Sequence, residues 1–386
     1  MNSADFLVIG GGVAGLSVGA ALAAHGRVIL LEAEEAIGFH SSGRSATFAH
    51  YGIGETIVRG LTSWSRGFFL QPPNGFAELP LARNAGALFI ARADDLETLR
   101  TLEIAMARFS DTVRAVGQGE LLALCPILRV GADAVVAGVV DEGGLKLDSD
   151  ALLQAYARRL RSSGSAVRTG ARVETVRRTG GAWEVEASAG RFAAPVLVNA
   201  AGAWADRIAG MAGVTPLGLA PKRRTMIVVE SPAGLDIRGW PFVKTAADEF
   251  YMLPEGGRLM ASPVDEEPDE PGDVQPDEYN VALAAHRLEQ YTTLSVTRIA
   301  HRWAGLRTFA ADRVPVAGFA ADAPGFFWLA GQGGYGLQTA PAMAAAAESL
   351  ITGTGWPAGL AALGIEPATL TPTRFAGLSR VGQRRR

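Results

Sequence analysis

The stretch Phe6-Leu7-Val8-Ile9-Gly10-Gly11-Gly12-Val13-Ala14-Gly15 decides the fold of this chain. Four apolar residues typical of a buried strand lead into a glycine-rich turn. A helix of small residues is expected over residues 13–25, with Gly26 placed to cap it. A second apolar strand at residues 28–31 then ends on Glu32. Strand, glycines, helix, strand and acid in this order predict a Rossmann-like dinucleotide site.

Each part of this pattern has a physical role in holding a dinucleotide. Gly10 permits the tight turn, and Gly12 lets backbone N–H groups approach a pyrophosphate at the helix N-terminus, where the helix dipole favours negative charge. Gly15 lets the helix lie close to the sheet, and Glu32 is expected to accept hydrogen bonds from the ribose hydroxyls of the adenosine. The fingerprint therefore predicts that the cofactor is bound by Gly10, Gly12, Val13, Ala14, Gly15, Glu32 and Ala33.

Composition narrows the class of protein. A length of 386 residues allows two domains, and a net charge of −3 gives no sign of nucleic-acid binding. The single cysteine, Cys125, excludes an internal disulfide and fits a reducing, cytoplasmic compartment. The five histidines show no metal-ligand spacing, so no metal is expected. No run of about 18 apolar residues is present to span a membrane, and residues 13–24 lack the basic flank of a signal peptide.

Periodicity along the rest of the chain predicts alternating helices and strands. Helices are expected at residues 96–109 and 120–124, and another begins at Asp148 or Ser149. Three alternating runs at 173–178, 183–187 and 190–193 predict a β-meander. Further strands are expected at 196–199, 225–229, 250–253, 259–262 and 326–330. The acidic segment 265–277 is expected to be an exposed loop. The glycine-rich turn 331–336 leads into a helix that ends near Leu350.

Several motifs together resemble a known family. The fingerprint with Glu32, the Gly43-Arg44-Ser45 loop, the meander before Asn199-Ala200-Ala201-Gly202-Ala203-Trp204, and Gly331-Gln332-Gly333-Gly334-Tyr335-Gly336 are similar to flavoproteins of the D-amino-acid oxidase superfamily. That superfamily includes glycine oxidases, sarcosine oxidases and D-amino-acid dehydrogenases. Within it the chain most resembles the bacterial D-arginine dehydrogenases, over nearly its whole length.

The resemblance implies a fold, a cofactor and a domain division. The expected fold is α/β: a Rossmann-like FAD-binding domain with a β-meander crossover, and a substrate-binding domain on a largely antiparallel β-sheet. The FAD-binding domain is expected at 1–79, 143–215 and 308–386, and the substrate-binding domain at 80–142 and 216–307. Some relatives attach FAD to a cysteine near the C-terminus. Because Cys125 is the only cysteine here, the FAD is expected to be noncovalent.

Further cofactor contacts are carried over from the family onto matching positions. The Gly43 loop would contact the pyrophosphate, the meander would reach the adenine, and the second glycine-rich helix start would lie near the flavin ring. The residues so assigned are Gly43, Arg44, Ser45, Val173, Ala201, Gly202, Trp204, Gly333, Gly334, Tyr335, Gly336, Leu337 and Gln338.

The family also implies the residues that carry the chemistry. Arg224 and Arg307 match its carboxylate-binding positions, because an α-amino acid needs a cationic clamp and a guanidinium is a planar two-pronged one. Tyr251 would bind the same carboxylate, Tyr51 would belong to a mobile lid, and the Gly334 carbonyl would receive the substrate amine. His50 is not assigned as a catalytic base, and His301 is interpreted as structural.

One position departs from the D-arginine dehydrogenases in a way that concerns substrate specificity. The D-arginine dehydrogenases place a carboxylate against the substrate guanidinium, and the matching position here is Ala87. Losing that charge-assisted hydrogen bond costs about 1.5–3 kcal/mol. Strong arginine preference is therefore not expected, and hydrophobic, aromatic or small D-amino acids are favoured.

The resulting hypothesis is an FAD-dependent D-amino-acid dehydrogenase or oxidase that transfers a hydride from Cα to the flavin and yields a 2-oxo acid and ammonia. The alternatives are an oxidase of glycine, sarcosine or a cyclic imino acid, and a noncatalytic flavin-binding electron-transfer subunit. The expected partners are a small amino acid and either O2 or a quinone as electron acceptor, in a monomer or small homo-oligomer. The arginines Arg380, Arg384, Arg385 and Arg386 form a solvated tail or, as the alternative, contact the inner face of the cell membrane.

Overall fold

A six-stranded sheet forms the centre of the cofactor half of the molecule. The computed structural model describes residues 2–375, so the predictions for the C-terminal arginines lie outside the described residues. The strands follow the order Ala166–Arg168, Val28–Leu31, Phe6–Ile9, Val196–Asn199, Phe326–Ala330 and Val316–Phe319. Neighbouring strands are parallel except for the last pair. The central strands read as continuous apolar runs because both faces of the sheet are covered.

The predicted β-meander covers one face of this sheet. Its antiparallel strands are Val173–Thr179, Ala182–Ala187 and Gly190–Ala194, and Asn2–Ser3 adds a short parallel edge. The rings of Trp183 and Phe192 are buried in one apolar cluster with the sheet.

Helices cover the opposite face, where the first glycine-rich helix packs against the last long one.

The α-helices of residues 2–375, in both halves of the molecule, run over Val13–Leu22, Thr56–Leu70, Leu96–Ala107, Gln118–Leu124, Ser149–Ser162, Ala205–Met211, Glu278–Tyr291, Gly336–Thr352, Ala358–Ala362 and Pro367–Leu370. The first helix ends three residues earlier than expected. The N–H groups of Ala24 and His25 bond to carbonyls three residues back, which tightens the chain into a turn before Gly26.

A ten-membered, largely antiparallel sheet forms the other half. Its central path contains nine strands in the order Gln332–Gly333, Ile299–Phe309, Ala220–Val229, Arg258–Ser262, Tyr251–Glu255, Phe242–Thr245, Ala87–Ala91, Ala137–Asp141 and Val113–Val116. Within this sheet, among the described residues, only Phe242–Thr245 and Ala87–Ala91 are paired in parallel. A small sheet of Phe48–Ala49, Leu145–Leu147 and Ala82–Asn84 lies apart from this path. The expected fold class is confirmed, while the numerical domain limits stay a prediction.

The prediction that the acidic segment 265–277 is an exposed loop is wrong for its first residues. Asp265 is buried, and its carboxylate accepts hydrogen bonds from the Thr225 N–H at 2.7 Å and the Thr225 hydroxyl at 2.8 Å. Glu267–Pro268 adds the tenth strand by pairing with Ala220–Val229. The segment begins inside the sheet because that neighbouring strand supplies backbone partners for it.

Candidate active site

A long cavity of about 420 Å³ lies between the two glycine-rich helix starts. It opens where the carboxyl ends of Phe6–Ile9 and Val28–Leu31 meet the first helix. The predicted cofactor residues that line it are Gly10, Gly12, Val13, Ala14, Glu32, Ala33, Arg44, Ser45, Val173, Ala201, Gly202, Trp204, Gly333, Gly334, Gly336 and Leu337. The structure therefore brings together segments that are more than 300 residues apart in the chain.

The first glycine turn leaves no room for side chains at two positions. Gly10 has φ +109°, and a Cβ there would overlap the carbonyl of Ala200. A Cβ on Gly15 would overlap the carbonyl of Gly10, so Gly15 lies beneath the turn rather than in the cavity lining. The close helix–sheet approach expected for Gly15 is thus a direct consequence of its missing side chain.

Glu32 fixes the shape of this turn. Its carboxylate is buried and accepts the Gly11 N–H at 2.6 Å on one oxygen and the Glu34 N–H at 2.9 Å on the other. A carboxylate has about four lone-pair positions, so acceptor capacity remains for ribose hydroxyls. Glu32 therefore joins the turn to the end of the second strand.

We expect Glu32→Gln to weaken FAD binding about 10- to 100-fold. An amide group has one acceptor oxygen, so one of the two backbone N–H groups faces an NH2 donor and loses its hydrogen bond. Titration of the apoprotein with FAD, followed by flavin fluorescence, measures the dissociation constant. Glu78→Gln, at an exposed carboxylate, is the control and should bind FAD like the parent. Parental affinity in Glu32→Gln would contradict this role.

The loop after Glu32 contributes a residue that sequence reasoning missed. The Ser42 hydroxyl accepts the Val13 N–H at 2.9 Å and so caps the first helix from outside. Arg44 lines the cavity, but its guanidinium binds Asp273 at 2.5 Å and the Ala304 carbonyl at 3.1 Å. These contacts tie the loop to the large sheet. A pyrophosphate contact by Arg44 stays a prediction, and Gly43 lies outside the lining.

The cavity suits a dinucleotide, because a helix N-terminus that favours negative charge lies at each end of the cavity. Helix Val13–Leu22 begins at Gly12 and helix Gly336–Thr352 begins after Tyr335, and in residues 2–375 neither N-cap residue caps its own helix through a side chain. Unpartnered N–H groups at a helix start favour negative charge. Across the described residues no cluster of metal-ligating side chains is present.

A second cavity of about 290 Å³ adjoins the first. Ser45, Arg224, Tyr251, Arg307 and Gly334 line both. The predicted carboxylate clamp therefore lies at the junction of the two spaces. This position suits a small substrate that must touch a cofactor held in the longer cavity.

Arg307 is a partly buried cation that lines both cavities. No Asp or Glu oxygen of the described chain lies within 4 Å of its guanidinium, whereas Arg313 nearby binds Glu266 through two nitrogens. Burial, and then the nearby Arg224, lower the pKa of Arg307 to about 10. The guanidinium stays protonated near neutral pH, and a bound carboxylate would relieve its burial cost.

Arg224 and Tyr251 complete the clamp from two further strands. The Arg224 Nε donates to the Asp265 carbonyl at 2.8 Å, while its buried Nη2 has no hydrogen-bond partner among the described residues. The Tyr251 hydroxyl contacts the Met226 sulfur at 3.0 Å, which is a weak acceptor. Each group keeps a donor that an oxygen ligand could use.

The second glycine-rich turn positions the clamp. A Cβ on Gly334 would overlap the Arg307 guanidinium, so only glycine leaves that group in place. Tyr335 and Gln338 line the second cavity rather than the first. The Gln338 amide donates to the Thr62 hydroxyl at 2.7 Å and to the His50 carbonyl at 3.3 Å, so its side chain supports the segment around His50.

His50, not Tyr51, reaches the second cavity. Adjacent residues of this extended segment face opposite ways: the His50 imidazole lines the cavity and stacks 4.8 Å from the Phe242 ring. The buried Tyr51 ring lies against Phe109 and is in neither lining. Tyr51 therefore faces neither cavity in this structure, and its role in a lid over the substrate stays a prediction.

His50 is held as a neutral hydrogen-bond donor. Its Nδ1 accepts the Gly52 N–H at 3.1 Å, which assigns the proton to Nε2. Burial and the charges of Lys244, Arg307 and Arg59 hold its pKa well below 6.5. The imidazole therefore offers an N–H to the cavity at neutral pH rather than a positive charge.

This lowered pKa predicts how stability depends on pH. Below about pH 6.5 the unfolded chain protonates His50 while the native chain does not, so the free energy of unfolding falls as pH falls. The slope reaches at most about 1.4 kcal/mol per pH unit for this group. We expect His50→Gln to lose less stability than the parent between pH 7 and 5 in urea unfolding. The exposed His286→Gln should follow the parent, and an identical slope in all three proteins would refute the assignment.

Three other candidate positions lie outside both cavities. Ala87 is fully buried in its strand and absent from both linings, so the expectation that it faces the substrate is wrong. Its register partner Phe242 lines the second cavity in its place. His301 is exposed beside Trp303, as its structural interpretation allows. Cys125 is buried in the core, where burial raises the pKa of its thiol to about 12.

Comparison with known proteins identifies the class. A family described as "DAO: FAD dependent oxidoreductase" matches residues 5–350. The chain belongs to this family. The D-amino-acid oxidase superfamily expected from the motifs is thereby confirmed, and FAD is its cofactor.

Individual relatives are distant but cover most of the chain. Glycine oxidase of Geobacillus kaustophilus is 24% identical over 367 residues, which is 87% of this chain and 90% of the relative. Its crystal structure superposes with a TM-score of 0.79 at 21% identity, covering 92% of this chain and 96% of that one. The FAD-bound L-α-glycerophosphate oxidase of Mycoplasma pneumoniae gives a TM-score of 0.82 at 19% identity, covering 91% and 95%.

A shorter match involves a vertebrate protein. FAD-dependent oxidoreductase domain-containing protein 1 of Xenopus laevis is 28% identical over 179 residues, 42% of this chain, and the chain spans about a third of its length. As a separate finding, none of the helices in residues 2–375 is long and apolar enough to cross a membrane.

Proposed function

We propose that this FAD-dependent oxidoreductase deaminates D-amino acids to 2-oxo acids and ammonia. The observation that supports it is the partly buried Arg307, which has no carboxylate partner in the described chain, at the junction of the cavities. Beside it, the Arg224 Nη2 makes no hydrogen bond with a described residue, and the Glu266 carboxylate lies 3.7 Å from it. A cation buried without a counter-charge is costly for folding, so it points to a ligand that supplies the charge. The α-carboxylate of an amino acid supplies one.

The chain's residues would bind and orient the substrate. Its carboxylate would accept from Arg307 and Arg224, and the Tyr251 hydroxyl would turn from Met226 to the same oxygen atoms. With the carboxylate fixed at the junction, Cα lies at the boundary of the two cavities and the substituent enters the second one. Fixing a reactant in this way supplies much of the rate in enzymes of this kind.

The remaining chemistry needs few protein groups. FAD supplies the hydride acceptor when it is bound. The substrate enters with a neutral amine, and the Gly334 carbonyl is the proposed acceptor of its N–H. The neutral His50 would offer the substrate a hydrogen-bond donor without adding a positive charge to the cavity. The substrate loses a hydride from Cα and a proton from nitrogen. Water then adds to the C=N bond and releases ammonia.

Anaerobic flavin bleaching tests this proposal. The purified yellow protein is mixed with individual D- and L-amino acids, and the visible flavin absorbance is followed without oxygen. Bleaching by D-isomers alone supports the proposal, and failure of every amino acid to bleach the flavin rejects it. Readmission of air, against addition of a quinone, then distinguishes O2 from a quinone as the electron acceptor.

A second candidate is an oxidase of glycine, sarcosine or a cyclic imino acid. The near full-length match to a glycine oxidase favours it, since 90% of that relative is covered. The same carboxylate clamp would serve these substrates. Bleaching by glycine, sarcosine or proline, with none by other D-amino acids, would select this candidate.

A further inference from the structure

The second cavity carries an excess of positive charge that one carboxylate does not neutralise. Five cationic and three anionic side chains line it. The cationic ones are Arg59, Arg224, Lys244, Arg307 and Arg313, and the anionic ones are Glu55, Asp248 and Glu266. Glu266 is already bound by Arg313 and by Lys222 from outside the lining, and it lies 3.7 Å from Arg224, which also has Asp265 at 3.7 Å. An α-carboxylate bound by Arg307 and Arg224 therefore leaves the positive charges of Lys244 and Arg59 without a bound anion.

Lys244 is buried in the cavity wall with part of its hydrogen-bonding capacity unused. Its side chain is 8% exposed, and its ammonium contacts the Gly52 carbonyl at 3.3 Å and Asp248 at 2.5 Å. An ammonium has three N–H donors. Among the described residues no acceptor takes the third. Lys244 thus keeps one donor for a ligand in the second cavity.

The ion pair with Asp248 is unequal. The Asp248 side chain is 65% exposed, so solvent competes for its carboxylate, whereas Lys244 is enclosed. An exposed partner contributes little in an ion pair. A carboxylate arriving inside the cavity could share the ammonium with Asp248 or replace it.

Lys244 faces the same space as the clamp. It lies directly opposite Tyr251 in the strand register, and Phe242 on the same strand also lines the cavity. Burial lowers the pKa of Lys244, and the charges of Arg307 and Arg224 lower it further despite Asp248. The three cations therefore repel each other across the cavity, and two bound anions would relieve that repulsion.

Arg59 adds to the same end of the cavity. Its Nε donates to the Tyr51 carbonyl at 2.8 Å, and within the described chain no carboxylate lies within 4 Å of its guanidinium. Burial is the main cause that lowers its pKa. The wall beyond the clamp thus presents the cations Lys244 and Arg59, whereas its carboxylates, Glu55 and Asp248, are exposed to solvent.

We propose that the substrate is an amino acid with a second carboxylate, which Lys244 binds while Arg307 and Arg224 bind the α-carboxylate. This inference rests on the proposed function, because it names the substrate class of the same site. The second carboxylate is on the side chain in D-aspartate and D-glutamate. For the second candidate function it is on the nitrogen substituent, as in iminodiacetate, a secondary amine that would release glycine instead of ammonia.

The first test measures binding without turnover. Inert malonate, succinate and glutarate are titrated into oxidised holoenzyme against propionate, butyrate and valerate, and changes in the flavin spectrum report binding. We expect at least one dicarboxylate to bind 10-fold or more tightly than the monocarboxylate of similar length. Equal binding of both series would overturn the proposal.

Two variants assign the effect to Lys244. Lys244→Met keeps most of the length of the side chain and removes the charge, and it should reduce dicarboxylate binding to the monocarboxylate level. Asp248→Asn should instead tighten dicarboxylate binding, because it frees the ammonium, and asparagine tolerates the φ of +62° at this position. FAD content and melting temperature confirm that each variant folds. Parental dicarboxylate binding in a folded Lys244→Met would also overturn the proposal.

Substrate comparison separates this inference from the proposed function. The kcat/KM values for D-glutamate, D-aspartate and iminodiacetate are compared with those for D-glutamine, D-asparagine and D-alanine. A preference for the acids that disappears in Lys244→Met supports both proposals, and the best acid shows where the second carboxylate is attached. Turnover of D-alanine with no preference for acids overturns this inference alone. Tight dicarboxylate binding with no turnover of any amino acid overturns the proposed function alone.

Discussion

Arg307→Met should lower kcat/KM for amino acids about 100- to 1,000-fold while leaving the protein as stable as the parent, or more stable. Truncating one partner of a buried, hydrogen-bonded charge pair costs about 2–5 kcal/mol of binding. In the substrate-free protein Arg307 has no carboxylate partner in the described chain, so its removal relieves a desolvation cost instead of breaking an ion pair. Methionine fills similar space without the charge.

Loss of activity with unchanged or raised stability distinguishes a ligand-binding cation from a structural one. Flavin reduction by amino acids, carboxylate titration and thermal melting measure the three quantities. The matched control is Arg302→Met on the same strand, where the parent side chain is 46% exposed and pairs with Glu278. Arg302→Met should react like the parent. A strong loss of stability in Arg307→Met, with its remaining activity normal, would show that the arginine supports the fold rather than the substrate.

The cofactor half of the fold was predictable because its signals are local. Gly15 is required by a backbone contact with the Gly10 carbonyl, inside one strand–turn–helix unit, whereas the Ala200 carbonyl that crowds Gly10 comes from a distant part of the chain. The meander strands alternate in the sequence, and the structure extends each by only a residue or so. Where a physical requirement lies inside one short segment, the sequence contains the whole argument.

The large sheet was harder to predict because its strands depend on distant partners. Ala220–Val229 begins five residues before the expected strand, since Ile299–Phe309 pairs along its full length. Helices Thr56–Leu70 and Glu278–Tyr291 were not anticipated, although apolar residues recur at helical spacing in both. A search of those segments for helical periodicity would have found them.

The residues of the candidate site also differ in whether the sequence alone could predict them. Arg224, Tyr251 and Arg307 came from motif resemblance, and the structure places all three at one junction. His50 and Lys244 carry no motif. Whether each reaches the cavity depends on strand register, and a shift of one residue reverses which side chains face it. Sequence reasoning therefore found the residues that the family shares and missed those that would distinguish this substrate pocket.

Gly334→Ala should raise KM about 100-fold through the displacement of Arg307, with little change in stability. The added Cβ would lie 2.6 Å from the Arg307 Nε and 2.8 Å from Nη1, so the guanidinium must move by about 1 Å, and misplacement of this size can cost about 100-fold. Gly334 does not have a positive φ, so alanine adopts its backbone without strain. Gly67→Ala, at a helix position with no atom within 4 Å of the added Cβ, is the matched control.

A double-mutant cycle shows whether Gly334 acts through Arg307. If the alanine only displaces the guanidinium, adding Gly334→Ala to Arg307→Met should change kcat/KM by less than about 2-fold, because the group it displaces is already absent. Additive losses would instead assign Gly334 a separate contact, such as its carbonyl with the substrate amine. Parental KM in the single Gly334→Ala variant would show that the guanidinium has other room, and the junction would then be looser than the packing of Gly334 against Arg307 indicates.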